Sequence, residues 1–129
     1  MPRIKVIQFG LGPIGVRAAR LAAAKRGMKL VGAVDVDPAK VGRDVDGVPV
    51  LPTRDLAAEV RARGLRLAIL AVPAEVAQAA ADQVVAAGIK AVLNFAPARI
   101  RVPRDVRLKH VDLSIELETL SFYLARGAR

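Results

Sequence analysis

The fold of this chain is decided by the stretch Val6-Ile7-Gln8-Phe9-Gly10-Leu11-Gly12-Pro13-Ile14-Gly15, which contains the pattern G-x-G-x-x-G. The apolar residues 4–9 predict a buried strand, and Pro13 suits the first turn of a helix. Between a strand and a helix, such a pattern is typical of dinucleotide-binding turns. Gly10 permits the tight turn, Gly12 lets the backbone approach a pyrophosphate, and Gly15 lets the helix pack closely on the sheet. We therefore expect residues 10–15 to hold a pyrophosphate at the amino end of the first helix.

Apolar runs and helical patterns alternate along the rest of the 129 residues. The predicted strands after the first are 30–34, 48–51, 67–72, 89–93 and about 106–111. The predicted helices are 13–26, a helix from Thr53 or Asp55 to Gly64, 74–88 and 112–124. Strands that alternate with crossover helices indicate a parallel sheet covered on both faces. The sequence predicts one Rossmann-type, doubly wound α/β domain with a mostly parallel sheet over residues 1–111, followed by a C-terminal helix in 112–129.

An acidic residue follows the second predicted strand. Asp35 lies 20 positions after Gly15, where a carboxylate accepts hydrogen bonds from a ribose 2′-hydroxyl. A carboxylate there repels a 2′-phosphate, so the cofactor is expected to be NAD(H) rather than NADP(H), although Lys40 and Arg43 would soften this preference. The alternative is a plain strand-to-helix turn in which Asp35 caps a loop.

The other half of the predicted site follows the third and fourth core strands, because ligands of doubly wound sheets bind beyond the carboxyl ends of strands. Val72 and Pro73 end one strand, and Asn94-Phe95-Ala96-Pro97 ends the next. We expect these residues near the nicotinamide. For Pro73, starting the following helix is an alternative main role.

Catalytic groups are not evident in the sequence. His110 is the single histidine, lies in an arginine-rich segment and is interpreted as structural or surface-exposed, and Glu75 and Asp82 look solvated on a helix face. There are no cysteines, which excludes disulfides and thiolate metal sites. We expect no catalytic set, no metal site and no enzymatic activity.

Charge and hydropathy indicate a cytoplasmic protein without a membrane segment. The apolar runs are too short to span a bilayer, and because a strand pattern starts at residue 4 we expect no signal peptide. The formal charge is +9, and basic residues are frequent in 99–110. We interpret them as a solvated face. Nucleic-acid binding by this stretch is a minority alternative.

The predicted C-terminal helix has an apolar stripe and further apolar residues around it. Leu113, Leu117, Leu120 and Leu124 recur at helical spacing, while Ile115, Phe122 and Tyr123 fall on other faces. A helix that is apolar over most of its circumference is buried on more than one side. The pattern of residues 112–124 therefore predicts a helix that packs across a homodimer, and an ordinary core helix is the alternative.

Residues 35–124 resemble the NAD(H)-binding domain of the redox-sensing transcriptional repressors of the Rex family. The resemblance is carried by Asp35-Val36-Asp37-Pro38-Ala39-Lys40-Val41-Gly42, Gly47-Val48-Pro49-Val50, Ala68-Ile69-Leu70-Ala71-Val72-Pro73-Ala74-Glu75, Gly88-Ile89-Lys90-Ala91-Val92-Leu93-Asn94-Phe95-Ala96-Pro97, Val102-Pro103, His110-Val111-Asp112-Leu113 and Leu120-Ser121-Phe122-Tyr123-Leu124. It implies an NADH/NAD⁺ sensor that dimerises through its Rossmann domains and exchanges its C-terminal helix.

Two features depart from that family. Its members carry an N-terminal winged-helix domain, which we expect this chain to lack, so DNA binding by the chain alone is not expected. The first 45 residues are more similar to dihydrodipicolinate reductase-like dehydrogenases, which makes an NAD(P)-dependent oxidoreductase fragment the first alternative function. A coenzyme A-binding domain is the second, and Asp35 argues against it.

Overall fold

The computed structural model describes residues 4–35, 40, 42, 44–45, 48–111 and 120–126. The strands in this part of the chain are β1 (Ile4–Phe9), β2 (Met28–Val34), β3 (Asp44–Val45), β4 (Val48–Leu51), β5 (Leu67–Leu70), β6 (Ala91–Asn94) and β7 (Arg107–His110). The helices are α1 (Pro13–Ala24), α2 (Leu56–Arg63) and α3 (Ala74–Ala87), and a short 3₁₀ turn (Thr53–Asp55) precedes α2. No helix in the described ranges is long and apolar enough to cross a membrane.

The strands form one sheet in the order β3-β4-β2-β1-β5-β6-β7. All neighbours run parallel except β3, which pairs antiparallel with β4. The chain moves outward from β1 through β2 to β4, and then returns to the other side of β1 with β5. The strand order therefore reverses between β1 and β5, which confirms the predicted doubly wound architecture.

Helices cover the central strands on both faces, which explains why those strands are apolar along nearly their whole length. Small residues on α1 (Ala18, Ala19 and Ala22) are buried beside Val6 and Ile69. The opposite core contains buried residues of α2 and α3 together with the other faces of the strands. Alanines at these contacts let the helices lie close to the sheet.

Two of the three helix ends that the sequence predicts at glycines are confirmed. Gly64 and Gly88 adopt left-handed φ angles of +65° and +113° after α2 and α3, a conformation that glycine adopts without strain. Helix α1 ends earlier than predicted, at Ala24, because the backbone of Lys25 is already extended, with a ψ of 132°. Gly27 lies in the turn into β2 and does not end the helix.

The predicted C-terminal helix is described only in part, since residues 112–119, with Leu113, Ile115 and Leu117, lie outside the described residues. Residues 120–125 are helical. The exposed fractions of Leu120, Phe122, Tyr123 and Leu124 are 60%, 64%, 66% and 72%. Within this chain, the described part of the helix therefore leaves large apolar side chains uncovered.

Candidate functional site

A cleft of about 400 Å³ opens at the carboxyl edge of the sheet, where the strand order reverses. Its walls come from the segments that follow four parallel strands, β1, β2, β5 and β6. The lining residues are Phe9, Gly10, Leu11, Gly12, Gly15, Asp35, Lys40, Ala71, Val72, Pro73, Val76, Phe95 and Pro97. This is the place at which ligands of doubly wound sheets bind.

Two glycines of the turn after β1 are required by the fold itself. Gly10 has a φ of +100°, and a Cβ atom there would overlap the backbone carbonyl of Ala71. A Cβ atom on Gly15 would overlap the carbonyl oxygen of Gly10. Any side chain at either position would push α1 or β5 away from the turn.

Gly12 differs from both of these glycines. Its φ of −69° and ψ of −176° are ordinary extended values that any residue adopts. A Cβ atom on Gly12 would meet no atom within 4 Å. The fold therefore gives no reason for glycine at this position. What glycine does provide is bare backbone at the amino end of α1, where N–H groups of the first turn lack partners within the helix.

One end of the cleft is built around Asp35, which is only 7% exposed. Its Oδ2 atom accepts a hydrogen bond of 2.8 Å from the backbone N–H of Leu11. The carboxylate therefore ties the end of β2 to the glycine turn and lines the cleft at the same time. The hydrogen bond to Leu11 agrees with the alternative in which Asp35 caps a loop. The same carboxylate also lines the cleft, so this contact does not exclude binding of a ligand.

Lys40 reaches the same end of the cleft. Its Nζ atom donates a hydrogen bond of 3.0 Å to the carbonyl oxygen of Leu11 and lies 4.0 Å from Asp35 Oδ2. Of the described residues that line the cleft, Asp35 and Lys40 are the charged ones. Both lie next to Leu11, so the charge of the cleft is concentrated at one end.

The other end of the cleft is apolar, with Val72, Pro73, Val76, Phe95 and Pro97 in its wall. Pro73 is also the N-cap residue of α3, so its alternative role of starting that helix is confirmed. Val76 was not predicted from the sequence, where it is one apolar residue in an alanine-rich helix. Its position one turn inside a helix that starts at a strand end is the signal that would have found it.

Asn94 and Ala96 are not among the lining residues, although the sequence placed them beside Phe95 and Pro97 in the site. Alternate residues after β6 point to opposite sides, so Phe95 and Pro97 face the cleft while Asn94 and Ala96 are buried. Asn94 Oδ1 accepts a hydrogen bond from the Ala96 N–H at 3.0 Å. Asn94 Nδ2 lies 3.1 Å from the Ala98 carbonyl oxygen, 3.3 Å from that of Ala96, and 3.1 Å from His110 Nδ1. Residues 95–98 are called the wall segment below. The buried side chain of Asn94 supports this segment through hydrogen bonds to its backbone, on the side away from the cleft.

The remaining predicted residues are accounted for as follows. Pro13 and Ile14 open α1, and their side chains lie outside what the structure describes. Leu11 lies in the turn with its side chain buried. His110 is an exposed residue of β7 that contacts Asn94, in line with its interpretation as a structural or surface group.

Residues 2–98 match the family model described as the CoA binding domain. The chain belongs to this CoA binding domain family. Among its curated relatives is the redox-sensing transcriptional repressor Rex of Anoxybacillus flavithermus, which is 45% identical over 121 residues. That match covers 93% of this chain and 56% of the relative, so the chain spans about half the length of the curated relatives it matches.

Solved structures of a Rex-family repressor, RSP, have the same fold. The complex of RSP with β-NADH superposes with a TM-score of 0.90 at 33% identity and covers 98% of this chain and 61% of RSP. The complex of RSP with β-NAD⁺ and operator DNA gives the same score and identity, and the match covers 58% of that chain. The similarity to Rex predicted for residues 35–124 is confirmed and extends over nearly the whole chain, including most of the first 45 residues.

Proposed function

We propose that this domain binds NAD(H) in the cleft at the strand-order reversal and acts as a sensor of the NADH/NAD⁺ ratio. The observation that carries this proposal is the open space at Gly12. The fold does not require glycine there, whereas a diphosphate that approaches the backbone does. The relatives called redox-sensing repressors, and the RSP complexes with β-NADH and β-NAD⁺, support the choice of ligand.

We assign the residues of the cleft to the parts of the dinucleotide as follows. Backbone N–H groups at the start of α1 would hold the pyrophosphate, and the positive end of the helix dipole would favour its charge. Asp35 would accept hydrogen bonds from the adenosine ribose. The apolar end, with Val72, Pro73, Phe95 and Pro97, would enclose the nicotinamide, while Asn94 and Ala96 would support that wall.

The chemistry of the apolar end favours the reduced cofactor. The nicotinamide ring of NAD⁺ is a cation and that of NADH is neutral. Burial of a cation among apolar side chains without a compensating anion costs free energy. Asp35, the carboxylate among the described lining residues, lies at the opposite end of the cleft. We therefore expect tighter binding of NADH than of NAD⁺.

A regulatory role fits this site better than hydride transfer to a substrate. The lining residues at the apolar end are Val72, Pro73, Val76, Phe95 and Pro97, and none of these side chains exchanges protons. The relatives that match nearly the whole chain are named as repressors rather than enzymes. We infer that the domain acts in the cytoplasm by changing shape for a partner and that it does not turn over a substrate.

The partner includes a second copy of this chain. Leu120, Phe122, Tyr123 and Leu124 expose large apolar side chains. These side chains would be buried if the C-terminal helix within 112–129 packed against a second copy of the chain in a homodimer. DNA binding is not expected from this chain alone. A gel shift with double-stranded DNA at physiological salt tests that expectation, and a retained complex would contradict it.

Titration of the purified chain with NADH and NAD⁺ by calorimetry tests the proposal. We expect micromolar or tighter binding, with NADH preferred. Equal millimolar affinities would argue against a sensor, and consumption of NADH with imine or ketone substrates would favour an oxidoreductase fragment.

Coenzyme A is the second candidate ligand, since it is the one named in the description of the matching family. Its adenosine carries a 3′-phosphate, which would approach the carboxylate of Asp35 when bound in this orientation. We expect NADH to displace CoA at much lower concentration than CoA displaces NADH. The opposite order in a competition titration would assign the cleft to CoA.

A further inference from the structure

The apolar strand β1 contains a buried polar residue, Gln8, which is completely shielded from solvent and does not line the cleft. Its side chain points to the α1 side of the sheet, where its parallel partner Ile69 also packs. We propose that Gln8 is a positioning residue for the dinucleotide, because its amide holds the peptide group between Gly10 and Leu11 in the orientation that a diphosphate requires. This role rests on the proposed function, since it concerns binding of the same ligand in the same cleft.

The orientation of the Gln8 amide is fixed by its neighbour. Nε2 donates a hydrogen bond of 3.1 Å to the carbonyl oxygen of Gly10, which can only accept. The amide oxygen Oε1 therefore points elsewhere, and no group among the described residues donates a hydrogen bond to it. A buried amide oxygen without a donor lowers the stability of a fold. Gln8 thus gives the fold one hydrogen bond and leaves a second polar atom without a protein partner.

The peptide group that Gln8 contacts is held at both of its ends. In a trans peptide the carbonyl and the N–H point in opposite directions, and the described chain has no cis peptide bonds. Gln8 binds the Gly10 carbonyl, while the carboxylate of Asp35 accepts a hydrogen bond of 2.8 Å from the Leu11 N–H on the other side. Two buried side chains therefore prevent rotation of this one peptide group.

The direction of the Gly10 carbonyl matters for an anionic ligand. Gly10 and Leu11 line the cleft beside Gly12, where the pyrophosphate is expected. The oxygen end of a peptide dipole is negative, so a peptide that turned this oxygen into the cleft would repel the phosphates. Gln8 holds the oxygen on the buried side, next to Gly15. A turn that is already in the binding orientation binds its ligand more tightly.

Gln8 also has a purely structural explanation, as a brace at the end of β1. Removal of a brace would lower the free energy of unfolding and leave the ligand affinity of the folded chain unchanged. Removal of a positioning amide would instead weaken ligand binding, while the fold would no longer bury an oxygen without a donor. The directions of the two changes therefore separate the two roles.

The experiment compares the wild-type chain with Gln8→Met, Gln8→Leu and Val6→Ala. The first two variants remove the amide and keep an apolar side chain of similar size in the core. Val6→Ala is the matched control, since Val6 is fully buried on the same face of β1 and lies outside the cleft. Urea unfolding measures stability, and calorimetric titration with NADH and with ADP-ribose measures affinity.

We expect both Gln8 variants to unfold at the urea midpoint of the wild type or above it, while the dissociation constants for NADH and ADP-ribose rise about tenfold. A tenfold rise corresponds to a freed peptide group that holds the binding orientation about one-tenth of the time. ADP-ribose should follow NADH because both ligands contain the diphosphate. Val6→Ala should lower the urea midpoint and change both dissociation constants by less than about twofold.

Unchanged affinity for both ligands in the two Gln8 variants would overturn the proposal. A lowered urea midpoint in both variants would overturn it as well, because the fold itself would then need the amide. A wild-type chain that binds neither NADH nor ADP-ribose would overturn the proposed function, so the two failures are distinguishable.

Discussion

Replacement of Gly12 by valine separates what the fold needs from what the ligand needs. The backbone of Gly12 has ordinary dihedral angles, and an added Cβ atom would meet nothing within 4 Å. Gly12 is the N-cap residue of α1, a position at which valine is less favourable than glycine. Valine also lowers the conformational entropy of the unfolded chain, which stabilises the folded state. Because the two effects oppose each other, the free energy of unfolding should change by about 1 kcal/mol or less. For a domain of this size, that corresponds to a shift in Tm of at most about 4 °C.

The effect of Gly12→Val on binding should be much larger. The valine side chain would occupy the space beside the amino end of α1 where the pyrophosphate is expected. Loss of two hydrogen bonds to a charged group, at about 1.5 kcal/mol each, weakens binding by about 3 kcal/mol. We therefore expect the dissociation constant for NADH to rise more than a hundredfold.

Calorimetric titration with NADH, together with a thermal melt of the same sample, measures both quantities. Gly27→Val is the matched control, since Gly27 also has open space around its Cβ position but lies outside the cleft. Gly15→Val should instead lower the free energy of unfolding by several kcal/mol, because its side chain would overlap the carbonyl of Gly10. A folded Gly12→Val chain that binds NADH within threefold of the wild type would refute the reasoning.

Three further changes test other parts of the structure. Asp35→Asn keeps an acceptor for the Leu11 N–H but removes the charge, so NADH affinity should fall about tenfold in the same titration with little change in Tm. Asn94→Ala removes the contacts behind the wall segment, and the free energy of unfolding measured in urea should fall by about 2–4 kcal/mol; affinity for NADH should fall more than affinity for ADP-ribose. The hydrogen bond and charge of Lys90 lower the pKa of Asp105, so the small contribution of this exposed pair is present above the ordinary carboxyl range and lost as the pH falls through the lowered pKa. At neutral pH, Asp105→Asn should leave Tm unchanged within about 1 °C.

Each of these expectations has a contrary outcome. Unchanged NADH affinity in Asp35→Asn would remove the carboxylate from the binding site and leave it as a support for Leu11. Equal losses of NADH and ADP-ribose affinity in Asn94→Ala would show that the wall segment does not contact the nicotinamide half. A marked drop in the Tm of Asp105→Asn at neutral pH would mean that the pair contributes far more than exposed ion pairs do.

Most of the sheet could be predicted because buried parallel strands leave a plain pattern in the sequence. The apolar run ending at Gly10 and the glycines that end α2 and α3 placed elements within a few residues of their observed bounds. Strand β3 was missed because Asp44–Val45 has two residues and depends on pairing with β4, which no local pattern records.

The site was predicted less completely than the sheet. The glycine turn and Asp35 have a fixed spacing that can be read directly, and the structure brings them to one cleft. The sequence does not show which way the side chain of Asn94 points. Side chains alternate between the two sides of the sheet, and the pairing of β6 with its neighbours determines which of them face the cleft. The part of Val76 in the wall depends on how α3 lies on the sheet, so its position in the first turn of a helix that follows a strand is the signal that the sequence offers for it.

The buried residue Asn94 connects the wall segment to the end of β7. Its side chain holds the backbone of the wall segment at residues 96 and 98, and its carbonyl oxygen accepts a hydrogen bond from the N–H of Val111, where the chain leaves β7. The cleft wall and the end of the last strand of the sheet therefore depend on the same buried side chain and backbone carbonyl, those of Asn94.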